Sequence, residues 1–284
     1  MKKILITGGG GFVASYLKDI FKSEKVFLTD IAGKGVEKCD ITDKKSVFRL
    51  VEKISPDEIY HLAAISMPRV EDKKLVERVN VQGTLNLLEA VRKFSPQAKV
   101  LLVSTGYVYG NCKRPATEKD RPRPIGIYAQ SKLEMEKQAL KKFPDLNIYI
   151  ARPFTHSGKN QGLGFFFPDT AKKIAEGKKQ SNPEIEVYNP QTKRDFSHVE
   201  DIVSAYKMIM DKGTPKEIYN ICSGKSYNIL KIFEDMTKRA NLKKYTVKRI
   251  KHGVVLDLMG NNSKIKNLGW KPEYDIDKII DDFS

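Results

Sequence analysis

Lys3-Ile4-Leu5-Ile6-Thr7-Gly8-Gly9-Gly10-Gly11-Phe12-Val13-Ala14 runs from a short apolar stretch through four glycines into residues of helical period. Lys3 to Thr7 predicts a strand and Phe12 to Lys22 a helix. Gly8 permits a tight turn between them, Gly11 lets the backbone approach a pyrophosphate, and Ala14 lets the helix pack on the strand. The helix N-terminus offers free N–H groups to phosphate oxygens. Asp30 closes the next strand, 22 residues beyond Gly8. A carboxylate there accepts from an adenosine ribose 2′-hydroxyl and repels the 2′-phosphate of NADP. Together these features predict a dinucleotide site that prefers NAD(H); Lys34 offers a phosphate partner nearby and keeps NADP(H) open.

Beyond Asp30 the alternation continues. Val26 to Asp30, Glu58 to Ala63, Val100 to Ser104 and Asn147 to Arg152 predict strands, and Asp43 to Ile54, Val76 to Phe94 and Tyr128 to Phe143 predict helices. Continuous apolar runs such as Val100-Leu101-Leu102-Val103 suit strands covered on both faces. The expected fold is therefore α/β, a Rossmann-type doubly wound parallel sheet. After Thr155 the rhythm loosens, and Pro153, Gly158, Pro168, Pro183 and Pro190 separate shorter elements. Residues 1–154, with returning segments within 187–223, should form the dinucleotide-binding domain; residues 155–186 and 224–284 should form a smaller C-terminal α/β domain for substrate.

Lys plus Arg exceed Asp plus Glu by 51 to 35, a net charge of +16 that directs attention to anionic ligands. The run from Lys238 to Lys251 is basic throughout but carries no nucleic-acid module, so it is read as a solvated face and nucleic acid as an unfavoured partner. Cys39, Cys112 and Cys222 are far apart and are read as reduced thiols. His61, His156, His198 and His252 lack metal-ligand spacing, so no metal is expected, and His61 is read as a packed imidazole. Gly8 to Gly11 cut the first apolar run below the roughly 7–15 residues of a secretory core. No stretch reaches about 18 apolar residues. The expected location is the cytoplasm, without a membrane partner. Phe165 to Phe167 are read as core.

Tyr128 and Lys132 stand four apart at the start of a predicted helix and share one face. An ammonium beside a phenol lowers the phenol pKa from about 10 towards neutrality, as a proton donor to a carbonyl requires. Thr105 falls at the C-terminal end of a parallel strand, where open α/β sheets bind ligands, and offers its hydroxyl to a substrate oxygen.

Thr7 to Phe12, His61-Leu62-Ala63-Ala64, Asn80-Val81-Gln82-Gly83-Thr84, Ser104 to Gly110, Tyr128 to Lys132, Arg194-Asp195-Phe196 and Leu268-Gly269-Trp270-Lys271-Pro272 together resemble the extended short-chain dehydrogenase/reductase family. Within it, Ala151 to Gly158, Gln161, Gly164-Phe165, Pro168-Asp169 and Asn220 to Gly224 are most similar to the GDP-6-deoxy-4-keto-mannose reductases. The resemblance implies a nicotinamide enzyme acting at C4 of a nucleotide-diphosphate sugar. It puts Gly8, Gly11, Phe12 and Val13 on the pyrophosphate, Asp30 on the ribose, Asp40 and Ile41 on the adenine, and Leu62, Ala63 and Ala64 along the middle of the cofactor. Val103, Tyr128, Lys132 and Pro153 complete the cofactor set. Thr105, Tyr128 and Lys132 match the catalytic positions, while Ser66, Thr105, Tyr107, Thr155, Arg194 and Lys251 match substrate positions, the last two on the diphosphate. A homodimer through the helices at 76–94 and 128–143 is also implied.

One departure from the family pattern narrows the reaction, and two more bear on the diphosphate and nucleotide-base site. Sugar dehydratases of the family carry an acid one or two positions after the catalytic Ser or Thr; here Gly106 and Tyr107 stand there. Thr155 replaces the usual Asn, and Val254 replaces an acid. The chain is expected to be a 4-keto reductase, with GDP-4-keto-6-deoxy-D-mannose as its substrate; the alternatives are a UDP-hexose 4-epimerase using the same three residues and, more remotely, a non-catalytic dinucleotide-sensing or RNA-binding protein on the same fold.

Overall fold

Ile4, Leu5 and Ile6 are all fully buried, so the first strand is covered on both faces. The computed structural model describes residues 1–66, 70–251 and 257–284; His252 and Val254 lie outside them. In chain order the elements are β1 (Lys3–Thr7), α1 (Phe12–Leu17), β2 (Lys25–Asp30), β3 (Glu37–Lys38), α2 (Lys44–Ile54), β4 (Glu58–His61), α3 (Lys73–Glu77), α4 (Thr84–Phe94), β5 (Lys99–Val103), α5 (Ile127–Lys142), β6 (Asn147–Pro153) and β7 (Thr155–Ser157). There follow α6 (Phe166–Gly177), β8 (Glu184–Tyr188), β9 (Lys193–Arg194), β10 (Phe196–His198), α7 (Val199–Lys212), β11 (Ile218–Ile221), β12 (Tyr227–Asn228), α8 (Ile229–Arg239), β13 (Thr246–Ile250), α9 (Ser263–Lys266) and α10 (Ile276–Asp281).

Seven strands form one parallel sheet in the order β11-β6-β5-β4-β1-β2-β3. Alternate residues feed opposite faces, as the period of a strand requires. Leu5, Ile59, Val100 and Ile150 pack with α2, α4 and α5 on one side. Ile4, Ile6, Tyr60 and Leu101 pack with α1 and α7 on the other. A separate core of Phe167, Phe196, Phe233 and Ile279 joins α6, α8 and α10 in the C-terminal part. Phe166 and Phe167 belong to this core, each in ring contact with Phe196.

The single helix expected over 76–94 is instead α3, one π turn over Arg78–Gly83, and α4. The two-residue β3 pairs with β2 at the edge of the sheet and is too short to show a period in the sequence. The basic run is partly neutralised by acids distant in sequence. Arg239 pairs with Asp277 and Asp281, and Lys248 with Glu184 at 3.5 Å and Glu186 at 3.4 Å. Among the described residues no helix is long and apolar enough to cross a membrane.

Candidate active site

The loops leaving the C-terminal ends of β1, β4, β5 and β6 converge on one edge of the sheet. Gly8 takes φ +71°, and a Cβ there would lie 2.7 Å from the Ala63 nitrogen, so the loops after β1 and β4 touch only because residue 8 has no side chain. The Gly10 amide donates to Asp30 Oδ2 at 3.0 Å and the Ile31 amide to Oδ1 at 2.7 Å. Among the described residues the amides of Phe12 and Val13, in the first turn of α1, find no acceptor, and Gly11 supplies no side-chain cap. Such a cradle fits a dinucleotide, with diphosphate oxygens on the unpaired amides and a ribose at Asp30. Asp40 and Ile41 follow β3 on the same side. The Asp40 carboxylate accepts from the Thr42 amide at 2.8 Å, and the buried Ile41 packs where Gly83 leaves room.

A polar relay ties this cradle to α5. Thr7 Oγ1 donates to His61 Nδ1 at 2.7 Å, and His61 Nε2 donates to Thr84 Oγ1 at 2.8 Å, whose own proton goes to the Asn80 carbonyl. That chain assigns the tautomer and leaves His61 neutral. Burial, with the nearby Lys132 charge, pulls its pKa down to about 3. The Asn80 side chain, presented from the π turn, accepts from the Ile65 amide at 2.8 Å and donates to the Ile65 carbonyl at 3.1 Å and to Ser131 Oγ at 3.0 Å. Ser66, exposed, follows directly on this clamped residue.

Thr105 is buried just beyond β5, and its Oγ1 accepts from the Tyr107 amide at 3.2 Å. The phenol of Tyr128 lies beside it, close enough for the hydroxyl to favour the phenolate. Lys132, one turn further along α5 and 4% exposed, donates from Nζ to the Val103 carbonyl at 2.7 Å. The expected lowering of the Tyr128 pKa by Lys132 does not occur in this arrangement. Burial pushes the phenol up to about 12, with Thr105 pulling it down and Tyr107 adding to the rise, while the Lys132 ammonium is turned to the Val103 carbonyl. Burial brings Lys132 itself down to about 8, opposed by the Glu136 charge.

Above the triad, a Cβ on Gly106 would come within 2.8 Å of the Phe154 ring. The Arg194 guanidinium lies over the Tyr107 ring, 5.8 Å from its centroid, and its Nη1 is buried without a partner among the described residues. Thr155 Oγ1, on the strand after Pro153, is likewise buried and unpartnered. Lys251 is exposed after β13 and lines a cleft of about 240 Å³ with Arg249 and Asn228. Asn228, which lines the same cleft, pairs with Lys193 next to Arg194.

The sequence model of the family described as GDP-mannose 4,6 dehydratase matches residues 30–283. The chain belongs to that family. Within the GDP-mannose 4,6 dehydratase family and the wider epimerase/dehydratase group, it is similar to the GDP-6-deoxy-D-mannose reductase of Pseudomonas aeruginosa, 30% identical over 98% of this chain and 95% of that one. Among solved structures it is similar to RMD from Pseudomonas aeruginosa complexed with NADPH, with a TM-score of 0.88 and 28% identity over 100% of this chain and 99% of that one. It is also similar to the Thermus thermophilus UDP-glucose 4-epimerase complexed with NAD, with a TM-score of 0.85 and 25% identity over 99% and 98%. The chain is thus an enzyme of a family that modifies nucleotide sugars. Two buried members of its site carry no role in the sequence reading, Glu136 and Arg152. The signal for Glu136 was the extension of the Tyr128, Lys132 spacing by four more residues.

Proposed function

We propose that the protein is a nucleotide-sugar 4-keto reductase using NAD(H), with GDP-4-keto-6-deoxy-D-mannose as substrate. The contact of Gly106 with Phe154 carries this reading. A carboxylate for eliminating water has no room after Thr105, and the next position, Tyr107, is covered by Arg194. What remains is a hydroxyl pair suited to protonating a carbonyl oxygen.

A bound nicotinamide supplies the hydride to C4 of the sugar. Tyr128, protonated at neutral pH, gives its proton to the developing alkoxide. Thr105 bonds the same oxygen. Lys132 keeps its charge at neutral pH and holds the cofactor ribose, with Gly8, Gly11, Phe12 and Val13 on the pyrophosphate and Asp30 on the adenosine ribose. Arg194, whose Nη1 lacks a partner among the described residues, takes the substrate diphosphate, with Thr155, Tyr107 and Ser66 along the sugar and Lys251 as a second cation.

Asp30 also supports a second reading, a UDP-hexose 4-epimerase, because the epimerase neighbour is a complex with NAD. The test is to incubate the protein with NADH or NADPH and GDP-4-keto-6-deoxy-D-mannose, and separately with NAD and UDP-glucose. Loss of nicotinamide absorbance with a GDP-deoxysugar product supports reduction. UDP-galactose without net cofactor turnover establishes epimerisation instead. The same reading places the enzyme in the cytoplasm as a homodimer through α4 and α5, whose outward faces carry Arg92, Lys93, Glu134, Lys137 and Lys141. Light scattering that finds a monomer at micromolar concentration removes the dimer.

A further inference from the structure

Beneath the triad lies a charged unit sealed from solvent. Arg152, at the end of β6, and Glu136, on α5, are each 2% exposed. Arg152 donates from Nε to Glu136 Oε1 at 2.9 Å and from Nη2 to Oε2 at 2.5 Å. Its Nη1 donates to the Tyr109 hydroxyl at 2.8 Å, which donates onward to Asn220 Oδ1 at 2.8 Å. Ser104 Oγ also donates to Glu136 Oε1. The unit therefore joins β5, α5, β6 and β11 directly under Thr105, Tyr128 and Lys132. Burial works against the Arg152 charge, but its bonds to Glu136 and Tyr109 outweigh that and hold the pKa above its ordinary value.

We propose that Glu136, braced by Arg152, is a positioning residue for the proton-transfer site: it straps Ser104, the neighbour of Thr105, to α5 and balances the charge of Lys132 one turn earlier. The inference rests on the reading of Thr105, Tyr128 and Lys132 as the reacting group. A stability role alone explains the pair poorly, since buried ion pairs are often replaced by apolar residues without loss. The groups facing Lys132 are few. Glu136 is the acid and the neutral His61 ring lies across from it, while Tyr128 precedes it on the helix and Arg152 stands behind Glu136. Glu136 thus supplies the negative charge that favours an ammonium in this buried place.

The test follows the titration of Lys132 by NMR of ε-13C-labelled lysine in the full-length protein, with Lys132→Met identifying its signal. Glu136→Gln should lower the midpoint from about 8 by roughly one pH unit. The alkaline limb of kcat should move down with it, while KM for the sugar nucleotide changes less than about two-fold. Glu136→Gln with Arg152→Met removes both charges and keeps the volume, so it should fold even if the single variant does not; its midpoint should fall by less. A folded variant with the wild-type midpoint overturns the inference. A shifted midpoint in a protein whose wild type reduces no keto sugar upholds the positioning role and overturns the proposed reaction.

Discussion

Asp30 Oδ2 accepts the Gly10 amide at 3.0 Å, so the acid at the end of β2 and the glycine loop after β1 are fastened together. The carboxylate thereby has two duties, bracing the loop and facing a ribose, and substitutions can separate them.

Asp30→Asn keeps an oxygen for Gly10 but removes the negative charge that repels a 2′-phosphate. We expect KM for NADPH to fall by about ten-fold relative to KM for NADH. Asp30→Ala also releases the loop and should weaken both cofactors. Steady-state kinetics with each cofactor checks this, and an unchanged NADH to NADPH ratio in Asp30→Asn refutes the role in cofactor choice.

Tyr128→Phe removes the proton donor without opening a cavity. Turnover should drop by a factor on the order of 10² to 10⁴ while the Kd for NADH moves less than about two-fold. Stopped-flow kinetics and fluorescence titration read the two quantities separately, and a variant keeping half its activity would exclude the assignment.

Arg194→Ala should raise KM for the sugar nucleotide at least about ten-fold, because a guanidinium with an unsatisfied nitrogen loses its anion. Arg194→Lys should recover only part of this, since an ammonium cannot reproduce the forked contact. Neutralising Lys243 and Lys244 should leave both kinetic constants alone. The reverse pattern, with salt-dependent RNA affinity lost in the double Lys variant and the Arg194 variant unaffected, would favour a polyanion binder.

His61 predicts the acid limb of stability. Its ordinary pKa near 6.5 applies to the unfolded chain, and burial lowers it to about 3 in the fold. Between those values the unfolded state binds the extra proton, so stability is complete above pH 6.5 and declines as pH falls towards 3, by a few kcal/mol in all. Asp195, raised by burial to about 6, acts in the opposite sense over a narrower range. The Tm difference between wild type and His61→Asn should therefore shrink steadily from pH 7 to pH 4. A constant difference would show that His61 does not titrate as described.

The parallel sheet was legible because its signal is local. β1 and β5 are nearly continuous apolar runs and β2, β4 and β6 carry apolar cores bounded by polar residues, and the βα junctions have their turn residues within a few positions. Thr105, Tyr128 and Lys132 could likewise be picked out by their place at strand and helix ends. The direction in which Lys132 points was not legible, since the Val103 carbonyl lies 29 residues away in the chain. Glu136 and Arg152 escaped for a related reason: either alone reads as an ordinary charged residue, and only the packing of α5 on β6 makes them partners. The π turn escaped because its residues keep a helical pattern of polarity, so nothing in the spacing marks the added residue.

That turn has a consequence for how the gene can change. A π turn is an α-helix holding one residue more than it needs, and here α3 and α4 continue on either side of it. Loss of a single codon within 78–83 would let the two segments fuse into one regular helix, leaving the apolar side of α4 still seated on the sheet. Asn80 would rotate away from Ile65 and Ser131. A one-residue deletion can thus retire the chemistry of this protein while sparing its scaffold.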